Sequence, residues 1–169
     1  INNRMCKKIS EDEIKDLIFR FNNKNNLNSA VKDLTHLKTY TIDDSKTFEI
    51  DDAISLEQLS GQNKLWIHIA SPTSYIEYQS CIDKNARKLI STVYLSTNTY
   101  YMLPEVLINN MFSLCDKEKR ESLSLSVIFN DDGSIFSTEI VQSLIKVDYR
   151  LDFTEADELI DYAPKEEED

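Results

Sequence analysis

The sequence predicts an α+β fold, a mixed and largely antiparallel sheet flanked by helices. Three observations lead there. Short apolar runs, alternating or rich in β-branched residues, follow one another across turn residues, which is the pattern of hairpins. Amphipathic helical stripes stand outside those runs and do not alternate regularly with them. The 169 residues, 41% of them hydrophobic, are enough for one domain with a core of its own.

In chain order, Ser10-Glu11-Asp12-Glu13 reads as a capping box, with Ser10 as N-cap and Glu13 at N3. Ile14, Leu17, Ile18 and Phe21 then recur at helical spacing, so a helix is expected there. The polar run Asn22–Asn28 ends it and reads as a connector, so residues 1–30 form an N-terminal helix and linker ahead of the unit at 31–169. Thr39–Ile42 and Ala53–Leu59 read as strands, and Gly61-Gln62-Asn63 turns the second into Lys64–Ala70 to make a hairpin. Ser80–Ile90 carries the next helical stripe, Tyr94 lies on a brief extended piece, and Pro104 opens a helix over Glu105–Met111. Leu123, Leu125, Val127 and Phe129 alternate, which predicts a strand with those residues on its buried face. Asn130-Asp131-Asp132-Gly133 turns the chain into a longer strand over Ser134–Lys146, with Thr138, Ile140 and Leu144 on one parity. Thr154-Glu155-Ala156-Asp157 caps a last helix through Ile160, and the acidic end 165–169 is expected to be solvated.

The stretch Tyr40–Glu57 stands out chemically. Asp43, Asp44, Glu49, Asp51 and Asp52 fall within ten residues, on a loop between two strands. Carboxylates this close repel, so one takes up a proton, turns to water or is neutralised by a cation. A hard dication such as Mg²⁺ suits oxygen ligands and keeps waters for a phosphate substrate. The same composition also suits a solvated acidic loop. If the backbone is already extended at Asp51 and Asp52, their side chains point to opposite sides.

Several chemistries are excluded. With Gly61 and Gly133 as the only glycines, there is no nucleophile elbow, phosphate-binding loop or dinucleotide fingerprint. His36 and His68 are too few for a histidine zinc site and read as packed or surface residues. An EF-hand loop starting at Asp43 fails because Phe48 stands where the sharp-turn glycine belongs and Ile54 where the bidentate Glu belongs. Cys6, Cys81 and Cys115 are odd in number and widely spaced, which predicts a reduced, intracellular setting, cytoplasmic or inside an organelle. No apolar run approaches the length of a membrane span, and Ile1 in place of Met predicts a piece of a longer polypeptide. A net charge of −11 opposes binding of a polyanion by this stretch alone.

Asp-Leu-Thr-His-Leu (33–37), Tyr-Thr-Ile-Asp (40–43) and Thr-Phe-Glu-Ile-Asp-Asp-Ala (47–53) together resemble the catalytic signature of the ribonuclease II family, the RNB domain. The likeness continues in order through Leu-Trp-Ile-His-Ile-Ala-Ser-Pro-Thr (65–73), Val-Tyr-Leu (93–95), Met-Leu-Pro (102–104), Phe-Ser-Leu (112–114) and Tyr-Arg-Leu-Asp-Phe-Thr-Glu-Ala-Asp (149–157). The resemblance implies the first part of a catalytic domain that removes nucleoside 5′-monophosphates from the 3′ end of single-stranded RNA. It places the four metal-binding and catalytic acids on Asp43, Glu49, Asp51 and Asp52, with Mg²⁺ as cofactor and no small-molecule cofactor. It puts RNA-stacking rings at Tyr94 and Phe153, and it implies OB-type RNA-binding domains elsewhere in the protein. Read without the resemblance, Tyr94 equally suits a tyrosine packed at a strand edge.

The chain departs from the family pattern at four places. Glu49 and Ser71 stand where Asp is usual, Leu89 where Arg is common, and Phe153 where a tyrosine is usual. The family's phosphate-contacting arginine falls beyond residue 169, so the chain alone is expected to be a poor ribonuclease. The four departures also keep open an RNB-like module that binds RNA or a protein without catalysis.

Overall fold

The computed structural model describes residues 9–23, 30–59 and 61–162. Helix α1 (Glu11–Asn22) starts where Ser10 Oγ accepts the amide of Glu13. Strands β1 (Lys32–Asp33), β2 (Thr39–Ile42), β3 (Asp52–Leu59) and β4 (Gln62–Ala70) follow, then helix α2 (Cys81–Leu89), capped by Ser80. A small hairpin of β5 (Val93–Tyr94) and β6 (Thr99–Tyr100) leads into α3 (Glu105–Leu107). After α3 the chain widens into a π turn, Ile108–Phe112, so the expected single helix over 105–111 is in fact two kinds of turn. Strands β7 (Lys119–Phe129), β8 (Ile135–Lys146) and β9 (Tyr149–Leu151) and helix α4 (Phe153–Asp161) complete the described chain. The cap of α4 is Asp152, two residues before the expected Thr154, and it makes a reciprocal capping box with Glu155. Most of the Asn22–Asn28 connector and the acidic end lie outside the described residues.

One seven-stranded sheet runs β1-β8-β7-β4-β3-β2-β9. Its pairs are antiparallel except β1 with β8 and β2 with β9, which is the mixed, largely antiparallel sheet the sequence predicts. Only Val147 and Asp148 separate β8 from β9, yet β9 pairs on the far side of the sheet, beyond β7, β4, β3 and β2. The amide of Asp148 donates to the carbonyl of Thr39, and the Asp148 carboxylate accepts the Thr39 amide. These contacts require a strongly coiled sheet whose β8 end meets β2, close to a closed barrel.

The coil decides which residues are inside, and it reverses one expectation. On β7 the buried side chains are Arg120, Ser122, Ser124, Ser126 and Val127; of the residues expected inside only Val127 is buried, whereas Leu123 lies on the outer face, 47% exposed. Likewise Ser143 and Ile145 of β8 are buried and Ile140 faces out. Alternation is as read from the sequence, but the inner radius of a coiled sheet admits small side chains along its middle. Trp66, Leu34, Ile50, Leu114, Ile145 and Val147 fill the space around them. A second cluster joins α1, α2 and the 103–112 segment through Leu17, Ile82, Leu107, Ile108, Met111 and Phe112.

Polar groups inside are stitched together. His68 on β4 contacts Ser55 Oγ of β3 through Nε2 and Ser124 Oγ of β7 through Nδ1, the latter at 2.6 Å. Ser124 in turn meets Ser143 of β8, and Ser55 meets Thr39 of β2. The ladder thus crosses five neighbouring strands. Each buried hydroxyl left unpaired would cost about 1–3 kcal/mol. Burial pushes the His68 pKa down to about 4, so the ring is neutral at ordinary pH.

His68 therefore sets a pH dependence. The folded value lies below the ordinary 6.5, so its contribution to stability is complete above pH 6.5. Below that the unfolded chain takes up a proton that the folded chain refuses. The loss amounts to at most about 1.4 kcal/mol per pH unit, down to about pH 4. The urea midpoint should fall across this window, and His68→Gln should follow a flatter curve than the parent. Parallel curves would show that His68 is not buried in its neutral form.

Candidate active site

The acidic loop owes its shape to backbone ties on both sides. The amide of Asp43 donates to the carbonyl of Leu151 at 3.2 Å, which extends the pairing of β2 with β9 by one step. Asp44 closes the turn, its carboxylate accepting the Lys46 amide and its carbonyl the Thr47 amide. Arg150 on β9 then reaches over, its guanidinium donating to the carbonyls of Thr47 (2.6 Å) and Ser45 (3.3 Å). Phe48–Ile50 runs beside residues 113–114: Ser113 Oγ accepts the Ile50 amide (3.0 Å) and donates to the Phe48 carbonyl (2.8 Å), and the Leu114 amide donates to the Ile50 carbonyl (3.0 Å). Ile50 is buried in the inner core, which turns its neighbour Glu49 the other way. The Asp51 carbonyl accepts the Ala70 amide at 2.8 Å, and Asp52 opens β3.

Glu49 and Asp51 open onto a cleft of about 450 Å³, walled by Ile69, Ile90, Met102 and Phe112 and carrying Tyr94 on its rim. A groove of about 580 Å³ beneath α1 is larger, but its one carboxylate, Glu77, is already paired with Arg20 at 3.0 Å. In the acidic cleft, Glu49 Oε2 accepts hydrogen bonds from Thr92 Oγ1 (2.8 Å) and from the Tyr94 hydroxyl (3.3 Å). Tyr94 itself is 65% exposed.

The carboxylates feel one another. The Asp51 pKa is pushed up to about 6, first by the loss of hydration in the cleft and then by the charges of Glu49, Asp52 and Asp43. The Asp43 carboxyl is also raised, by burial and by Asp52, against the pull of Arg150. One oxygen of Asp43, Oδ2, is buried with no hydrogen-bond partner among the described residues. The donor chemistry fits a hard dication: oxygen ligands, excess negative charge and an orphaned carboxylate oxygen. The side chains are nevertheless spread along the loop. Among the described residues no three Asp, Glu, His or Cys gather into a ready chelate.

Not every candidate residue shares the cleft. Phe153 is exposed at the start of α4, just after β9, and it does not line the cleft that Tyr94 borders. Asp43 and Asp52 also stand outside the cleft lining. Of the departures, Ser71 bonds Ser74 at 3.0 Å and Leu89 ends α2. Thr92, Ser113 and Arg150 support the acids but escape sequence reasoning. Ser113 and Arg150 lie within matching segments, but nothing in the residue string says which backbone they hold. For Thr92 no signal exists.

Among the described residues no helix is long and apolar enough to cross a membrane. The RNB domain profile matches residues 31–169. The chain is 40% identical over 136 residues to ribonuclease II, chloroplastic/mitochondrial, of Arabidopsis thaliana, a match covering 80% of this chain and 17% of that protein. The match therefore spans about a sixth of the length of that relative. In structure it is similar to Mycoplasma genitalium RNase R solved in complex with ribose-methylated single-stranded RNA (TM-score 0.74, 24% identity, 91% of this chain and 25% of that one). It is also similar to yeast Ssd1, a pseudonuclease (TM-score 0.72, 22% identity, 79% and 17%). At these identities the two structures speak for the fold alone, whereas the profile and the plant relative speak for descent: the chain belongs to the RNB domain family.

Proposed function

We propose that this chain is the first part of the catalytic domain of a 3′-to-5′ exoribonuclease that hydrolyses single-stranded RNA to nucleoside 5′-monophosphates. The observation that carries the reading is the opening of Glu49 and Asp51 onto one apolar cleft with Tyr94 at its rim. Such a cleft suits a nucleotide, with the base against apolar walls and the phosphate at the acids. Asp43, Glu49, Asp51 and Asp52 are the residues that would hold Mg²⁺. When bound, Mg²⁺ would supply an activated water and a counter-charge for the phosphate oxygens. The chain's own part is to hold the acids on pinned backbone, to keep water off the apolar wall, and to offer Tyr94 and Phe153 as rings on which bases stack. Flanking OB-type RNA-binding domains and a setting in the cytoplasm or an organelle interior belong to the same proposal. The net charge of −11 leaves the backbone-binding surface to other parts of the protein.

A second reading, a binding module without catalysis, draws on the four departures from the family pattern, Glu49, Ser71, Leu89 and Phe153. Asp52→Asn in the whole protein separates the two. It removes charge and keeps shape, so under the first reading mononucleotide release from 3′-labelled single-stranded RNA should fall roughly a hundredfold or more, while RNA binding persists. A parent protein that binds RNA but releases no mononucleotide in Mg²⁺ would favour the second reading.

The repulsion at Asp51 gives a further expectation. Its folded pKa of about 6 lies above the ordinary 3.8, so above pH 6 the ionised group works against the fold. As the pH falls from 6 to 3.8 the folded state takes its proton first and the penalty fades, opposite in sign to His68. In metal-free buffer, Asp51→Asn should raise Tm at pH 7.5, with the gain shrinking by pH 4. Addition of Mg²⁺ should raise the parent's Tm more than the variant's. A lower Tm for Asp51→Asn at pH 7.5 would contradict a site held together against its own charge.

A further inference from the structure

Glu49 is the member of the acidic set that departs from the family pattern, with one methylene more than Asp. Its longer side chain ends on a hydroxyl. Thr92 Oγ1 lies 2.8 Å from Glu49 Oε2, and the amide of Met102 donates to the same Thr92 oxygen at 3.1 Å. A hydroxyl has one proton to give. With Met102 N–H already pointing at the oxygen, that proton is directed to Glu49. The Tyr94 hydroxyl, two residues along β5, approaches the same carboxylate oxygen at 3.3 Å.

The backbone that delivers Thr92 is unusual. Ile90, the residue that caps α2 just past Leu89, has φ +70° and ψ −40°. A β-branched side chain in that region is strained, by roughly 1–3 kcal/mol. The strained step turns the chain sharply out of α2, and two residues later Thr92 faces the acidic loop. Strain of this kind persists only where surrounding contacts hold it, and here they include the β5–β6 pairing and the Thr92 bridge between Met102 and Glu49.

We propose that Thr92 is a positioning residue for Glu49. By anchoring Oε2 it fixes the rotamer of the longer acid and leaves the other oxygen as the one a metal ion would use. The bridge joins the acidic loop to the Ser91–Met102 segment, so Glu49 is oriented from outside its own loop. This inference rests on the metal-dependent reading above and adds a residue to it.

The test uses the whole protein with Thr92→Val, which keeps shape and loses the hydroxyl, and Thr92→Ser, which restores it. Metal affinity is read directly by calorimetric titration with Mn²⁺ and Mg²⁺, alongside RNA binding in EDTA and mononucleotide release. Loss of a group that orients a ligand typically costs about 10–100-fold in metal affinity. Thr92→Val should therefore bind metal at least about tenfold more weakly, Thr92→Ser close to the parent, and RNA binding in EDTA should be unchanged for both. In a Glu49→Gln background, Thr92→Val should add no further loss, because the pair acts as one. If Thr92→Val fails to fold, Thr92→Ala takes its place. Parent-like metal affinity in the variant, or an equal loss in the Glu49→Gln background, would overturn the proposal and leave the exoribonuclease reading standing. A parent protein that binds no metal would overturn both.

Discussion

The site depends on the pinning of Phe48–Ile50 against Ser113 and Leu114. Three hydrogen bonds and one buried side chain hold this short piece. Burying Ile50 contributes about 1.5–3 kcal/mol, and its position dictates that Glu49 faces outward into the cleft. Without the pin, five acids in ten residues would separate into water, since solvation and repulsion both favour dispersal. Arg120 extends the support: buried itself, it donates from Nε to the Ser113 carbonyl at 3.1 Å. The acids thus lean on β7 through two residues that carry no chemistry of their own.

The coil of the sheet imposes the second constraint. Because β9 pairs with β2, the Arg150 guanidinium lies over the loop tip and the Leu151 carbonyl meets the Asp43 amide. The coil also leaves a narrow interior in which serines and a histidine occupy positions that a flat sheet would fill with leucine. A polar interior is tolerable only when its groups are paired, and the Ser55–His68–Ser124–Ser143 ladder does that over the middle of the sheet. Even so, Thr41 Oγ1 and Ser122 Oγ are buried without a partner among the described residues.

These features set stability and site in opposition. His68 is kept neutral by burial, whereas the Asp51 carboxyl is pushed up to about 6 by lost hydration first and neighbouring charge second. Both shifts come from water withheld, in one case by a core and in the other by a cleft. A core loses water to pack better. A cleft that loses water while gathering like charges destabilises the fold, a trade expected where charge is kept for a ligand.

The sequence by itself determined the α+β class, the β3–β4 hairpin, α1 with its Ser10 cap, α2 behind Ser80, and the acidic loop between two strands. These are local matters: strand alternation, helical period, turn residues and caps act within a few positions of one another. It also carried the family, because Asp43, Glu49, Asp51 and Asp52 keep their spacing inside a collinear set of segments. Tertiary structure alone decided which face of β7 and β8 is inside, because the narrow interior of the coiled sheet takes the small serines and turns most of the larger apolar parity of β7 outward. It alone brought Thr92 to Glu49, Ser113 to Ile50 and Arg150 to Thr47, across 43, 63 and 103 residues. Such contacts leave no periodic trace in a sequence, since each is a single hydrogen bond whose partner is selected by the path of the whole chain.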